Sequence, residues 1–131
     1  PVIHMAGFLD ARATPVFEIA DVAGDATDLL ITSSELGAAL ATTLGDSPVA
    51  LMRGHGSVAV GTTLREAVFR AVYTEINAHA QASAIALGNP RYLTPGEATK
   101  AQETVGGQDV RAWDVWCEQV ASPVAAGGAT P

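Results

Sequence analysis

The sequence predicts an α/β domain in which helices cover a mixed central sheet. Three observations lead to this prediction: the elements read β, α, β, β, α, α, α, the strand segments are short, and 48% of the chain is hydrophobic. A chain of 131 residues is long enough for one domain with a buried core. The predicted strands are few for so much apolar helix, so we expect the sheet to continue in polypeptide outside this sequence.

The first segments of the chain are short and mixed in character. Residues 1–9 are apolar apart from His4, and they predict a strand or a short helix. Among these neighbours the imidazole is expected to be partly buried with one hydrogen-bond partner. Residues 15–20 alternate apolar and polar side chains and predict a strand. Residues 21–28 predict a polar linker whose acidic groups face solvent.

A capped helix and a pair of strands are predicted next. Hydroxyl side chains at 32–34 can accept from the first free N–H groups of a helix, and the leucines after them recur at every fourth position. Gly45 ends this helix. The strands Val49–Met52 and 57–60 then flank a loop, 53–56.

Three helices are predicted in the second half. The longest spans Leu64–Leu87 and ends at Gly88, and a second starts at Thr94, with proline at the next position and glutamate two residues after the proline. A third covers 111–121. The longest helix is expected to bury one stripe of apolar side chains: Leu64, Ala67, Val68, Ala71, Val72 and Ile76.

Composition excludes several classes of function. The formal net charge is -7 and Lys100 is the one lysine, so we expect no nucleic acid partner, because phosphate binding needs clustered cations. No apolar run approaches the roughly 20 residues of a membrane span, so we expect no membrane partner. A single cysteine, Cys117, and no visible signal peptide favour a reducing compartment, and we expect a cytoplasmic protein.

The stretch Arg53-Gly54-His55-Gly56 holds a histidine between two glycines at the end of a strand. Glycine has no Cβ, so a ligand can approach the backbone around His55 closely. One interpretation is a metal ligand or an acid/base group. The other is a tight hairpin turn in which the glycines serve only the turn. The residues alone leave both open.

Four motifs follow one another in the chain: Leu51-Met52-Arg53-Gly54-His55-Gly56-x-x-x-x-Gly61, Leu64-Arg65-Glu66-Ala67, Tyr73-x-Glu75-x-Asn77-Ala78, and Leu87-Gly88-x-Pro90-x-Tyr92-Leu93-Thr94-x-x-Glu97. Together they resemble the C-terminal half of the class II aldolase/adducin domain, and the resemblance covers residues 1–121. Residues 122–131 are expected to be a flexible tail.

The resemblance implies an α/β/α layered fold, a homotetramer and a divalent metal ion, with zinc, manganese and iron as candidates. In the family a His-x-His pair, usually a carboxylate, and the histidine of the glycine-flanked loop hold the metal. His55 matches the last of these. This sequence contains no His-x-His, so the resemblance implies that the upstream half of the fold is required.

The residues are most similar to the subgroup that decarboxylates hydroxylated aromatic or heteroaromatic acids, through Pro1–Leu9, Ala67–Glu75 and Arg111-Ala112-Trp113-x-x-Trp116. In that reading the metal stabilises an enolate and the substrate is a small carboxylate. His4 lies near the metal in that reading, as a proton donor or as a partner of the substrate carboxylate. Arg53 binds the substrate carboxylate, or else bridges the strands structurally.

Other readings stay open. A sugar-phosphate aldolase shares the metal-stabilised enolate, and an oxygenase on the same scaffold uses iron. A non-catalytic, adducin-like interaction module keeps the fold without a working metal site. Glu75 and His79, four residues apart on one helix, can meet at a ligand or form a simple pair within the helix.

Overall fold

The computed structural model describes residues 1–10 and 13–121, so the predicted tail at 122–131 lies outside the described residues. Three strands and five α-helices follow a short 3-10 helix in the described chain. In order they are the 3-10 helix His4–Leu9, β1 Val16–Phe17, α1 Ala20–Ala23, α2 Ser34–Leu44, β2 Val49–Met52, β3 Gly56–Ala59, α3 Leu64–Leu87, α4 Pro95–Val105 and α5 Gln108–Ala121.

The three strands form a mixed sheet in the order β1-β2-β3, which confirms the predicted α/β class. β1 runs parallel to β2 and places Val16 opposite Leu51, whereas β2 and β3 are antiparallel and place Val49 opposite Ala59. The parallel pair joins segments more than 30 residues apart, as a parallel pair must, because its strands need a crossover connection. Here α1 and α2 supply that crossover.

The prediction of a strand over residues 15–20 is wrong in its second half. β1 ends at Phe17, and the Glu18 carboxylate then accepts a hydrogen bond from the Ala20 amide at 2.9 Å. That local bond satisfies a free N–H at the start of α1, which occupies the beginning of the predicted linker. The chain therefore turns away from the sheet directly beside β1.

The helix starts follow the predicted capping chemistry. The hydroxyl groups of Ser33, Thr63 and Thr94 each accept from an amide in the first turn of their helix. At Thr94 the capping box is complete, because the Glu97 carboxylate accepts from the Thr94 amide at 2.8 Å. The predicted bounds of α3, Leu64–Leu87, are confirmed.

The core lies where the 3-10 helix meets α3, α4 and β2. Its buried members are apolar side chains from all of these elements: Ala6, Phe8, Val49, Phe69 and Val105. Phe69 is central, with its ring centroid 6.4 Å from that of Phe8 and 4.5 Å from that of Tyr73. This aromatic cluster fixes α3 against the segment that begins the chain.

The buried face of α3 differs from the predicted stripe. Phe69, Thr74 and Asn77 are buried, whereas Leu64 is 71% and Ile76 44% exposed. The 3-10 helix and the residues before it pack on the Phe69 side, so that side becomes the core. Although α3 has 24 residues, no helix in the described ranges is long and apolar enough to cross a membrane.

The 3-10 helix and α4 make an especially close contact at Gly7. A Cβ at this position would lie 2.7 Å from the Ala98 carbonyl oxygen and 2.9 Å from the Ala101 Cβ. Ala98 and Ala101 are both buried. The missing side chain of Gly7 and the small alanines therefore let the two helices approach.

Candidate functional site

The β2–β3 turn presents His55 to solvent. Its two flanking glycines have positive φ, 81° at Gly54 and 113° at Gly56, which non-glycine residues rarely adopt. The His55 amide donates to the Met52 carbonyl at 3.0 Å and closes the turn. The glycines thus serve the turn, as one of the two interpretations expects, and the imidazole above it is still exposed.

The imidazole forms a hydrogen bond with the main chain at Leu29. Nε2 of His55 lies 2.6 Å from the Leu29 carbonyl oxygen. A carbonyl oxygen can only accept, so Nε2 carries the hydrogen of this bond. In a neutral ring, Nδ1 then keeps the lone pair. No sequence pattern predicts this contact, because its partner is a backbone carbonyl 26 positions away, and every residue has one.

The Leu29 carbonyl is placed by an unusual local conformation. Leu29 has φ 68°, and its amide donates to the Thr27 hydroxyl at 3.0 Å. The next amide, of Leu30, donates to the Asp28 carboxylate at 3.0 Å. The Leu29 side chain covers the turn, since a Cβ at Gly54 would lie 2.8 Å from its Cδ1. The segment 27–30 therefore lies directly over the histidine turn.

Arg53, on the other side of Gly54, makes a two-pronged ion pair with Glu18. Nε of Arg53 donates to one carboxylate oxygen and Nη2 to the other, the latter at 2.8 Å. The hydrogen bonds from Arg53, followed by the one from the Ala20 amide, lower the pKa of Glu18 to about 2. This contact is the structural bridge that the sequence left open, and it joins the ends of β1 and β2. The guanidinium retains further N–H donors.

His4 belongs to a different element from the turn residues. His4 is the first residue of the 3-10 helix and is exposed, so the expectation of a partly buried imidazole is wrong. The reason is that the next turn, through Ala6 and Phe8, takes the buried side of this short helix. Glu75 and His79 also face solvent, with 3.7 Å between Nε2 and Oε1, as a pair within α3.

The described residues supply one candidate metal ligand, His55, and not a complete ligand set. The exposed imidazole of His55 is a common ligand for zinc, manganese and iron, and its bond to a main-chain carbonyl resembles the way proteins orient such ligands. Within residues 1–10 and 13–121, however, no group of three or more His, Cys, Asp or Glu side chains could hold a metal ion. Catalytic sites typically use three protein ligands.

A cleft of about 330 Å³ lies elsewhere, between the 3-10 helix, the start of α3 and the α4–α5 connection. Two ion pairs line it: Arg65 Nε to Asp109 Oδ2 at 2.7 Å, and Arg70 Nη2 to Glu66 Oε1 at 2.6 Å. Hydrogen bonds from Thr62 and the charge of Arg70 lower the pKa of Glu66. His55 does not line this cleft. The acidic and basic groups are paired with each other, so the cleft has no excess charge for an anion.

An apolar groove of about 530 Å³ runs between α3 and α5. Trp116 is only partly buried there, and its ring centroid is 6.5 Å from that of Tyr73. Trp116 therefore packs on α3, and part of its surface stays open to the groove. The groove is lined by Val68, Val72, Trp113, Trp116, Cys117, Val120 and Ala121.

Comparison with known proteins agrees with this fold. The family model described as "Class II Aldolase and Adducin N-terminal domain" matches residues 10–82, a range that includes Arg53 and His55 but not His4. The decarboxylase tropJ of Talaromyces stipitatus is 36% identical over 141 aligned positions, which cover 92% of this chain and 53% of that protein. The chain thus spans about half the length of this curated relative. The chain belongs to the class II aldolase/adducin family.

Proposed function

We propose that this chain is part of a lyase that decarboxylates a hydroxylated aromatic or heteroaromatic carboxylic acid with the help of a divalent metal ion. The observation that carries the proposal is the 36% identity to a decarboxylase over 92% of the chain. The substrate class comes from the sequence resemblance, and the displayed imidazole of His55 supports a metal site.

His55 supplies one metal ligand in this proposal. Further ligands come from polypeptide outside the described residues, since a single imidazole cannot hold a catalytic metal tightly. A bound divalent cation would polarise an oxygen of the substrate next to the carbon that loses CO₂. The chain's own part is to present the imidazole at the end of the strands, where the backbone of the turn is closed by the bond from the His55 amide to the Met52 carbonyl.

Arg53 binds the carboxylate of the substrate in this proposal. Glu18 takes the Nε and Nη2 donors and fixes the plane of the guanidinium. The remaining Nη1 edge can still donate to a second carboxylate, and the side chain is 52% exposed. The structural bridge and the substrate contact are therefore compatible.

His4 is the proposed proton donor. After CO₂ leaves, the carbon that carried it must take up a proton, and an imidazolium can give one near neutral pH. The exposed position of His4 allows such a transfer. The homotetramer and the cytoplasmic location stay predictions.

The second candidate is a non-catalytic interaction module. The open apolar groove between α3 and α5 favours it, because exposed apolar surface often marks a protein contact. A sugar-phosphate aldolase is a further alternative, since it uses the same kind of metal site. Metal content and reaction product separate the three readings.

The test compares two histidine variants of the full polypeptide that contains this sequence. We expect His55→Ala to lower metal affinity by more than about 100-fold, because even outer-shell partners of a metal ligand are worth 10–100-fold. His79→Ala is the matched control, since His79 is also exposed and forms a pair with Glu75 within α3. Elemental analysis after dialysis gives the stoichiometry, and CO₂ release from a panel of hydroxyaryl acids gives the activity.

Each outcome decides between the readings. Metal retained by His55→Ala would remove His55 from the site. Wild-type protein without stoichiometric metal would exclude the lyase and leave the interaction module. Stoichiometric metal with no CO₂ release, but with cleavage of sugar phosphates, would assign the aldolase instead.

A further inference from the structure

We propose that the main-chain carbonyl of Leu29 is a positioning group for His55: it holds the imidazole in one orientation with the hydrogen on Nε2. The consequence for catalysis rests on the proposed role of His55 as a ligand. The contact itself does not, and it can be tested without metal.

The first argument is the chemistry of the bond. The Leu29 oxygen accepts at 2.6 Å and has no hydrogen to give, so the bond exists only when Nε2 is protonated. His55 is exposed, and the turn below it is flanked by glycines that contribute no side-chain contacts. Without the carbonyl, an exposed imidazole would sample several rotamers and both neutral tautomers.

The second argument is that an unusual backbone conformation places that carbonyl. Leucine rarely adopts positive φ, yet Leu29 has φ 68°. The Thr27 hydroxyl accepts a hydrogen bond from the Leu29 amide. The Leu29 side chain occupies the space that a Cβ on Gly54 would need. These two contacts, one to the amide and one to the side chain of Leu29, hold a strained residue whose oxygen lies 2.6 Å from the imidazole.

The carbonyl also sets a condition for any ligand of the ring. A cation or substrate group that binds through Nε2 must take the place of the Leu29 oxygen and remove the Nε2 hydrogen. A ligand on Nδ1 would keep the contact. The segment 27–30 therefore controls which nitrogen of His55 is available and how firmly the ring is held.

The first experiment measures acylation of His4, His55 and His79 by diethyl pyrocarbonate, followed by mass spectrometry. The full polypeptide that contains this sequence is used after removal of metal with a chelator, at slightly alkaline pH, where a free imidazole is neutral. We expect His55 to react more slowly than His79, although both are exposed, because the fixed tautomer offers only the hindered Nδ1. In Thr27→Val the His55 rate should rise roughly three- to tenfold, the range expected for one lost hydrogen bond, and the His79 rate should not change.

Thr32→Val is the matched control, because Thr32 is an exposed threonine that lies two positions after the segment 27–30. Leu29→Ala is a second variant, which removes the side chain over Gly54 and should act in the same direction as Thr27→Val. Circular dichroism verifies that each variant is folded. Equal acylation rates for His55 and His79 in the wild type would overturn the proposal.

The second experiment reads the tautomer directly by long-range ¹H–¹⁵N NMR of the histidine rings. We expect the pattern of the Nε2–H tautomer at His55 in the wild type and in Thr32→Val, and a tautomer mixture in Thr27→Val. A predominant Nδ1–H form in the wild type would contradict the inference. If these tests fail while His55→Ala still loses the metal, only the positioning role falls. If they succeed while His55→Ala keeps the metal, the proposed function falls alone.

Discussion

The packed helical side of the molecule and the β2–β3 turn differ in what holds them. On the helical side, Ala6 is fully buried and Phe69 is 7% exposed, so the packing of apolar side chains stabilises this region. At the turn, Arg53 and His55 are exposed, and each side chain forms a hydrogen bond with a specific polar group, Arg53 with the Glu18 carboxylate and His55 with the Leu29 carbonyl. Stability therefore resides mainly in one region and candidate chemistry in the other, which lets each be changed with little effect on its counterpart.

The largest effect is expected from Phe69→Ala. Truncating a buried phenylalanine leaves a cavity and should lower the free energy of unfolding by about 3–5 kcal/mol. Urea denaturation measures the change. Leu87→Ala on the same helix is the control and should cost little, because Leu87 is 91% exposed. A tautomer change at His55 in folded Phe69→Ala would show that the two regions are coupled after all.

A smaller loss is expected from Gly7→Ala, where a Cβ would lie 2.7 Å from a backbone oxygen of α4. Overpacking of this kind typically costs about 1–3 kcal/mol. Gly37→Ala makes a matched comparison, since Gly37 lies inside α2 with nothing within 4 Å of the added Cβ. It should raise stability by about 0.5–1 kcal/mol through helix propensity. The same sign for both variants, by thermal unfolding, would refute the close-contact argument.

The smallest and most local effect concerns acid. Arg53 and the Ala20 amide hold the pKa of Glu18 at about 2, below its value in the unfolded chain. A lowered folded-state pKa contributes stability that is complete above the unfolded pKa and is lost as pH falls through the folded pKa of about 2. NMR titration of the Glu18 side chain should therefore show a midpoint near 2.

In Arg53→Met that midpoint should rise toward the ordinary glutamate value, but only part of the way, because the Ala20 amide still donates to the carboxylate. Arg53→Lys retains the charge and loses the two-pronged geometry, so its midpoint should lie between the two. An unchanged midpoint in Arg53→Met would show that the ion pair does not set the acidity of Glu18.

The parts that the sequence predicted well are those determined by neighbours along the chain. The capping box at Thr94 and Glu97 depends on residues three apart, and the ends of α3 depend on Thr63 and Gly88. The turn at 53–56 follows from its two glycines in the same way. Local chemistry of this kind is written in short stretches of residues, so it can be found without the fold.

The parts that the sequence did not predict depend on distant partners. The predicted buried face of α3 was wrong. Leu64 and Ile76 have the spacing of a buried face, but the 3-10 helix covers the Phe69 face instead. β1 is shorter than predicted, because the Glu18 carboxylate accepts a hydrogen bond from the Ala20 amide and the chain enters α1 there. The contact of His55 with Leu29 involves a backbone oxygen, and no pattern of side chains in the sequence predicts such a contact.

Asn77 imposes an order on folding. Its buried side-chain oxygen accepts from the amides of Val2 at 2.8 Å and Ile3 at 3.4 Å, across 75 and 74 positions of sequence. Closing so long a loop costs entropy before the bonds repay it, whereas α3 forms from local contacts. We therefore expect α3 to be in place before the opening residues dock, so that the beginning of the chain is among the last parts to acquire its native structure.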